Sequence, residues 1–239
     1  MKYIYGPVKS RRLGLSLGIS LTPYKACSFD CVYCQLGRTT LKTGLRKEYI
    51  KESGIIAELE AWLKDNSAQA RKLKFVTFSG FGEPTLNLKF PVLIRKIKKL
   101  TKAKVCVITN SAHLASVAVR KGLCEADLIV PSLDAATQSA FERIDRPLAK
   151  IKITGIINGL VKLRKSFRGL IWLEIMLVRG INDSKQEINK LKEAVNKINP
   201  DKIQLNSPVR ATAEPDILGL APAKLKKIKL IFGKKAEII

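Results

Sequence analysis

Three cysteines stand close together near the N-terminus, in the run Cys27-Ser28-Phe29-Asp30-Cys31-Val32-Tyr33-Cys34. The spacing is C-x3-C-x2-C, so the three thiols share one short loop. Three thiolates can hold three irons of a 4Fe-4S cube and leave the fourth iron without a protein ligand. An open coordination position on a metal centre is a place for chemistry. The spacing therefore predicts a reactive iron-sulfur site whose ligands are Cys27, Cys31 and Cys34.

Two other interpretations of the cysteine loop are open. A structural zinc site needs a fourth Cys or His at short spacing, and the sole histidine, His113, lies far along the chain. Disulfides are disfavoured, because five cysteines are an odd number and three thiols this close cannot all pair. The remaining Cys106 and Cys124 are too few for a second cluster, and we expect them to be small apolar residues of the interior. An iron-sulfur cluster is the favoured interpretation.

The elements that must position this loop alternate between short apolar runs and stretches of helical period. The strand candidates are residues 15–21, 73–79, 104–110, 126–133, 170–178 and 201–206. One intervening helix has Ile188, Leu191 and Val195 on one face, and Ser184 with Glu187 predicts a capping box at its start. Strands buried on both faces and separated by helices predict a parallel sheet with right-handed crossovers. Six such units are too few to close an eight-stranded barrel, so we expect the α/β class and an open partial (β/α)6 barrel.

The chain is expected to form one domain over residues 1–239, since 46% of its residues are hydrophobic and no Ser- or Gly-rich linker divides it. Residues 1–14 are predicted to be a lead-in, and residues 207–239 a basic helical extension. No apolar run approaches the roughly 20 residues that span a bilayer, so we expect a cytoplasmic protein without a membrane partner. A reducing compartment also suits an oxygen-sensitive cluster. We expect relatives to continue beyond Ile239.

Polar residues follow several of the predicted strands, where the reactive groups of parallel α/β proteins gather. They include the glycines of Ser79-Gly80-Phe81-Gly82-Glu83-Pro84-Thr85, where a backbone can approach a ligand closely, and the runs at 109–111, 132–134 and 206–208. Short polar side chains at four strand ends predict one shared polar cavity. Each of them is also a common helix N-cap, and that alternative stays open.

Glu174 interrupts an otherwise apolar strand candidate, and an unpaired buried charge is costly. We expect it to have a partner, which is either an arginine or a ligand. Arg11 and Arg12 are candidates to contact an anionic substrate, although a pair of surface arginines is the more ordinary interpretation.

The cysteine loop, with Tyr33 just before its last cysteine, resembles the cluster-binding motif of the radical S-adenosylmethionine superfamily. Tyr-Gly-Pro-Val at 5–8, Ser-Arg-Arg-Leu-Gly at 10–14 and Cys-Gln-Leu-Gly at 34–37 resemble its wyosine-synthetase-like oxidoreductases, a likeness that runs from about Tyr5 to the C-terminus. Residues 80–84 resemble the family's Gly-Gly-Glu-Pro motif, with Phe81 in place of a glycine. Wyosine synthetases carry a second set of cysteines, which this sequence lacks.

The resemblance implies an activity. S-adenosylmethionine would chelate the fourth iron through its amino and carboxylate groups, and one electron would break its sulfonium C–S bond. The resulting 5'-deoxyadenosyl radical would take a hydrogen from a substrate, which is a tRNA base, a peptide side chain or a small metabolite. A reduced flavodoxin or ferredoxin would supply the electron.

The resemblance also implies roles for individual residues. Cys27, Cys31 and Cys34 would ligate the cluster, and Tyr33 would pack near the adenine. The other cofactor-binding candidates are Gly80, Gly82 and Glu83 for the methionine pocket, and Asn110, Ser132 and Asp134 for the ribose and carboxylate.

The charge of the chain is a second signal, because 44 Lys and Arg against 20 Asp and Glu give a net charge of +24. Such a field attracts RNA or another polyanion. Lysines concentrate at 95–102 and 224–229, on predicted helices whose other face is apolar. A lysine-rich solvated surface, as in proteins from hot environments, explains the same charge. The alternative to an enzyme is therefore a noncatalytic metal-containing protein that binds RNA through these helices.

Overall fold

The computed structural model describes residues 1–239. The strands are β1 Ile4–Ser10, β2 Gly14–Ile19, β3 Ala26–Cys27, β4 Leu41–Lys42, β5 Phe75–Phe78, β6 Lys104–Thr109, β7 Leu128–Pro131, β8 Leu170–Met176, β9 Lys202–Asn206 and β10 Ala236–Ile238. The helices are α1 Glu52–Asp65, α2 Ser67–Ala70, α3 Phe90–Leu100, α4 Val117–Leu123, α5 Gln138–Asp145, α6 Ile153–Ser166, α7 Lys185–Ile198 and α8 Pro222–Phe232, with a 3-10 turn at Pro84–Leu86.

Eight of the strands form one sheet in the order β1-β2-β5-β6-β7-β8-β9-β10. Strand β1 pairs with β2 antiparallel, and every other neighbouring pair in this sheet is parallel. Because β1 and β10 stand at the two ends and do not pair with each other, the barrel stays open. The expected α/β class with an open partial barrel of parallel strands is confirmed, and all six predicted strands are present.

Two strands of the sheet lie in segments for which the sequence predicted no strand. Part of the predicted lead-in is β1, which contains Pro7 and lies at an edge of the sheet, where a missing N–H is tolerated. The segment 207–239 contains the expected basic helix, α8, and then β10, which adds three residues to the sheet parallel to β9.

The sheet buries a different set of side chains on each face. In β6, Val105 and Val107 join the large core between sheet and helices, whereas Cys106 turns to the other face and packs with Leu13 and Val130. This alternation is the period of two that a strand imposes on its side chains. The tip of the β1-β2 hairpin therefore folds against the inner face of the sheet.

The start of α7 forms only half of the predicted capping box. Ser184 caps the helix by accepting a hydrogen bond from the backbone N–H of Glu187. The Glu187 carboxylate does not return to Ser184 but accepts bonds from the Thr137 backbone N–H at 3.1 Å and its hydroxyl at 2.7 Å. Glu187 thus holds the loop that follows β7.

Among the helices, none combines the length and the apolar character that crossing a membrane requires.

Candidate functional site

The cysteine loop follows β2 and begins with β3, which pairs with β4 in a two-stranded parallel ladder. Backbone bonds fix it to α5, because the N–H groups of Asp30 and Val32 donate to the carbonyls of Asp145 at 3.0 Å and Ile144 at 2.9 Å. All three thiols in the loop are half-buried and free. The cysteine loop is therefore anchored by the β3-β4 ladder at its start and by α5 at Asp30 and Val32.

Two of the thiols have polar neighbours from other parts of the chain. The Asn110 side-chain amide donates to Cys27 Sγ at 3.3 Å, and Cys31 Sγ donates to Asp145 Oδ1 at 3.2 Å. Burial raises the pKa of Cys27 to about 12, with the Glu83 charge adding to the effect, and burial also raises the pKa of Cys31 well above its usual value. Without metal these thiols are neutral, so a metal that binds them must displace their protons.

The donor set suits an iron-sulfur cluster better than a single ion. No group of three or more His, Cys, Asp or Glu side chains is gathered around one point as a ligand set for one ion. In a cube, by contrast, each of the three thiolates binds a different iron, so the sulfurs stand apart. Hydrogen bonds to ligand sulfurs, such as that from Asn110 to Cys27, tune such centres.

The glycine loop after β5 lies directly against the cysteine loop. Gly80 has φ +97° and Gly82 has φ +82°, both in the left-handed region. A Cβ on Gly82 would come within 1.9 Å of the Ala26 carbonyl oxygen, which accepts from the backbone N–H of Glu83 at 3.0 Å. Phe81 has an ordinary negative φ and is exposed, so this departure from the family motif needs no special backbone. Only glycine allows the two loops to approach this closely.

Glu83 is buried and joins the ends of β5 and β6. Its Oε1 accepts from the backbone N–H of Thr85 at 3.0 Å and the hydroxyl of Thr109 at 2.7 Å, and its Oε2 accepts from the N–H of Asn110 at 2.7 Å. Burial raises the pKa of Glu83, and these donors act in the opposite direction. The carboxylate thus orients Asn110, the residue that contacts Cys27.

Four of the predicted cofactor residues line one cavity beside the cysteine loop, and this cavity has a volume of about 10 Å³. We call it the cofactor cavity after the predicted role of these residues. They are Tyr33, Asn110, Ser132 and Asp134. The apolar part of the wall includes Phe29, Leu133 and Phe141. Gly80, Gly82 and Glu83 do not line this cavity but support it from the neighbouring loop. Of the four strand ends that were expected to share one polar cavity, only those after β6 and β7 meet here, and residues 206–208 after β9 line a different cavity.

A pair of buried carboxyls forms the floor of the cofactor cavity. Asp134 accepts from the backbone N–H of Met176 at 2.8 Å and from the hydroxyl of Tyr33, and it contacts Asp145. Burial raises the pKa of both acids, and the Asp134 charge raises that of Asp145 further. Burial and the neighbouring Asp134 charge therefore both favour the protonated form of Asp145.

Sequence reasoning missed Asp145, although it carried a signal. In α5 the buried positions Phe141, Ile144 and Asp145 follow the spacing i, i+3 and i+4, so an acid occupies the apolar face of the helix. An acid at such a position needs a polar partner, and here the partners are Asp134 and Cys31.

Tyr33 also lines a second, more polar cavity. The wall of this second cavity includes Arg11, Arg210 and Asn206. The two arginines make no ion pair. Tyr33 thus separates the cofactor cavity from a space with two free cations.

Glu174 has the arginine partner that was one of the two expected alternatives. Arg12 Nη1 lies 2.7 Å from Glu174 Oε2, and the Asn206 amide donates to Oε1 at 3.1 Å. Of the two N-terminal arginines, Arg12 therefore has a structural contact, while Arg11 faces the second cavity. Cys106 is buried and Cys124 half-buried, both free.

Among models of known protein families, that of the Radical SAM superfamily matches residues 21–191. A UPF0026 protein of Methanocaldococcus jannaschii is 33% identical over 239 residues, which cover 100% of this chain and 73% of that protein. A protein of Brachyspira hyodysenteriae named GTPase Obg is 41% identical over 99% of this chain, which spans only 34% of that protein. A dual-specificity RNA methyltransferase RlmN of Nitratidesulfovibrio vulgaris is 24% identical over 87% of this chain and 56% of its own length.

Solved structures share the fold. A radical SAM methyltransferase from Sphaerobacter thermophilus has a TM-score of 0.70 at 14% identity, covering 94% of this chain and 65% of that one. TYW1 with a lysine-pyruvate adduct bound has a TM-score of 0.64 at 20% identity, covering 92% of this chain and 74% of that one. At these identities the likeness concerns the fold alone.

Proposed function

Because the chain belongs to the radical SAM superfamily, we propose that it cleaves S-adenosylmethionine reductively and uses the product to take a hydrogen atom from a base in RNA. Enzymes of this superfamily bind a 4Fe-4S cluster and S-adenosylmethionine. The membership disfavours the alternative of a noncatalytic metal protein. One observation carries the proposal: Asn110 contacts Cys27 and also lines the cofactor cavity, so the cysteine loop and the cavity form one site.

The chemistry that the bound cofactors supply can be written with its electron balance. One electron and S-adenosylmethionine give methionine and a 5'-deoxyadenosyl radical, which takes a hydrogen atom from the substrate to give 5'-deoxyadenosine and a substrate radical. The electron comes from a reduced flavodoxin or ferredoxin, and we propose that this exchange takes place in the reducing cytoplasm.

In this proposal, the residues of the chain bind and orient. Cys27, Cys31 and Cys34 hold the cluster, and the loop containing Gly80, Gly82 and Glu83 shapes the methionine pocket. Asn110, Ser132 and Asp134 offer an amide, a hydroxyl and a carboxylate to the polar groups of the nucleoside. Tyr33 stays close to the adenine while its hydroxyl donates to Asp134. Side chains such as Phe29 and Phe141 keep water out, which protects a reactive radical.

The substrate class is proposed from similarity and charge. The similarity to an RNA methyltransferase extends over most of the chain, and the net charge of +24 favours a polyanion. The second cavity, with Arg11 and Arg210, lies across Tyr33 from the cofactor cavity and offers two cations to a nucleotide's anionic groups. A peptide or a small metabolite would use the same chemistry and would be distinguished by the source of the hydrogen.

We propose that the chain is related to the wyosine-synthetase-like proteins. The motifs at 5–8, 10–14 and 34–37 and the fold shared with TYW1 support this proposal. With only Cys106 and Cys124 outside the loop, a second three-cysteine cluster has no ligands in these residues. We therefore propose that the chain abstracts hydrogen from a base in a reaction that needs no second three-cysteine cluster.

The test of the proposed activity uses protein reconstituted with iron and sulfide in the absence of oxygen. With dithionite and S-adenosylmethionine, the wild type is expected to release 5'-deoxyadenosine and methionine, and Cys31→Ala is expected to lose at least about tenfold of this rate and part of its bound iron. Cys124→Ala is the matched control, because this free thiol lies at the end of α4, away from the loop. Wild-type protein that binds no iron or releases no 5'-deoxyadenosine would contradict the proposal.

The substrate assay follows deuterium. RNA prepared with deuterated nucleosides is expected to transfer deuterium to 5'-deoxyadenosine, which mass spectrometry detects. Transfer from a deuterated peptide or metabolite fraction, and none from RNA, would overturn the assigned substrate class.

A further inference from the structure

A groove lined by basic side chains runs beside the cysteine loop, on the outer side of the cofactor cavity. It consists of two adjoining cavities of about 370 Å³ and about 710 Å³ that share Gly44 and Lys150 in their walls. Lys152 and His113 line the first cavity, and Lys42 and Arg46 line the second. We call this surface the basic groove.

The charges of the basic groove are uncompensated. No Asp or Glu lines either cavity. None of its four cations, Lys42, Arg46, Lys150 and Lys152, belongs to any of the ten ion pairs of the protein. The lysines at these positions are exposed, whereas Arg46 is fixed by donating to the Thr85 carbonyl at 2.8 Å. Like charges brought together without counterions favour a ligand with several negative charges.

His113 gives the groove a neutral wall. Its Nε2 lies 2.8 Å from the hydroxyl of Ser28, and burial lowers its pKa to about 4, with Arg46 and Lys150 adding to the effect. The ring is uncharged at neutral pH, so the attraction for an anion comes from the lysines and Arg46.

The basic groove lies next to the proposed reaction site. Ile156 lines both the groove and the cofactor cavity. Two wall residues of the groove are bonded to the cysteine loop, because the backbone N–H of Leu148 donates to the Ser28 carbonyl at 3.0 Å and that of Thr43 to the Cys27 carbonyl at 2.8 Å. A polymer that lies in the groove therefore runs past the site where one of its units would react.

We infer that the basic groove binds the phosphate backbone of the RNA substrate next to the nucleotide that reacts. This inference rests on the proposed function. Phosphodiesters are ionised at neutral pH and repeat along the strand, which matches several cations along one groove. No Phe, Tyr or Trp side chain lines the groove for stacking on bases, and the His113 ring is half-buried against Ser28. The groove therefore contacts the backbone and leaves the choice of base to the reaction site.

The groove is tested by comparing two triple variants that remove the same charge. Lys42→Gln, Lys150→Gln and Lys152→Gln together alter the groove. The control changes Lys190, Lys192 and Lys197 to Gln on α7; these lysines are exposed and form no ion pair. Fluorescence anisotropy measures the binding of each reconstituted protein to a labelled 20-nucleotide single-stranded RNA at several KCl concentrations.

The groove variant is expected to bind the RNA about tenfold more weakly. Its slope of log K against log salt should be smaller by about 2, since each phosphate contact to a single strand contributes about 0.7. The control variant should change the affinity by less than about twofold. Equal losses in both variants, or no RNA binding by the wild type, would overturn the inference.

Two further measurements separate this inference from neighbouring ones. If polyglutamate displaces the labelled RNA at the same charge concentration as unlabelled RNA, the groove binds acidic polypeptides and the inference is wrong. Release of 5'-deoxyadenosine without RNA, measured on the same preparations, reports on the proposed function alone. If the wild type cleaves S-adenosylmethionine but the two variants lose RNA affinity equally, the proposed function stands and the inference about the groove is wrong.

Discussion

At the scale of single residues, Glu83 acts first as a structural carboxylate. Three residues donate to it from the ends of two strands, and its side chain has almost no contact with water. The resemblance of the Gly-Phe-Gly-Glu-Pro run to the family motif implies a role for Glu83 in the methionine pocket, and the structure gives Glu83 a role that does not depend on any ligand. Loss of Glu83 would leave buried donors without an acceptor.

Glu83→Ala is expected to lower the free energy of unfolding by about 3 kcal/mol, because an unsatisfied buried donor costs about 1–3 kcal/mol. Urea unfolding followed by circular dichroism measures the change. Glu193→Ala is the control, since Glu193 is exposed on α7 and has no hydrogen bond or ion pair through its side chain. A loss below about 1 kcal/mol for Glu83→Ala would show that the donors find other partners.

His113 predicts a dependence of stability on pH. Its pKa is lowered from 6.5 to about 4 in the folded protein, so between these values the unfolded chain binds a proton that the folded chain does not. Stability therefore falls as the pH falls from about 6.5 towards 4, by about 2 kcal/mol between pH 7 and pH 4.5.

His113→Gln keeps an amide next to Ser28 but cannot titrate. Unfolding free energies of both proteins at pH 7 and pH 4.5 are expected to show the smaller pH dependence in the variant, with the difference close to the 2 kcal/mol above. The same pH dependence in both proteins would mean that the ring is protonated without penalty in the folded state.

Residues at strand ends could be predicted because a parallel sheet brings them to one edge. Asn110 follows β6, whereas Ser132 and Asp134 follow β7, and the three residues meet in the cofactor cavity. Asp145 comes from the end of a helix, and no rule of sheet topology places a helix end against a particular loop. Its contact with Cys31 depends on the path of the cysteine loop, which the sequence does not specify.

At the scale of elements, the glycine loop and the cysteine loop depend on each other. The Ala26 carbonyl oxygen accepts from the Glu83 backbone N–H, and it would lie 1.9 Å from a Cβ on Gly82. This contact fixes the start of the cysteine loop against the end of β5. Its removal should disturb the thiols without touching them.

Gly82→Ala is therefore expected to lower the iron bound after reconstitution by more than half and to destabilise the fold by at least about 2 kcal/mol. Gly180→Ala is the matched control, because Gly180 has a similar φ of +75° but no atom within 4 Å of its added Cβ. The control should lose only about 1 kcal/mol and bind iron normally. Iron analysis and urea unfolding measure both effects, and equal iron binding by the two variants would contradict the coupling of the loops.

The strands that could be predicted from the sequence are those buried on both faces. The six predicted strands read as continuous apolar runs because helices and the inner face cover both of their sides. Strand β1 lies at the edge of the sheet and contains Gly6 and Pro7, so it has neither the apolar run nor the composition of a strand. Strand β10 has three residues, which is too short to show a period.

At the scale of the whole molecule, an open barrel must hold its two halves together without a closing pair of strands. One contact across the interior does so, because Arg12 from the β1-β2 turn pairs with Glu174 of β8 and also approaches Gln204 of β9 at 3.4 Å. The side chains are 21% and 11% exposed, so this is not an ordinary surface ion pair. It connects the N-terminal hairpin to the far half of the sheet.

The Arg12–Glu174 pair is expected to contribute to stability as a unit. Arg12→Met leaves Glu174 with only the Asn206 amide, and a partly buried charge without its partner costs about 2–3 kcal/mol. Glu174→Gln should cost less, and the double variant should be close to Arg12→Met, which gives a coupling energy of about 2 kcal/mol. Urea unfolding of the four proteins measures the cycle, and the coupling should change little between 0.05 and 0.5 M KCl, since salt screens buried pairs weakly.

The exposed pair of Arg95 and Glu125, treated in the same way, should give less than about 1 kcal/mol and lose most of it in salt, because both side chains face water. If both pairs give the same small coupling, Arg12 does not hold the open barrel together, and the tip of the hairpin is held against the inner face of the sheet by the packing of Leu13.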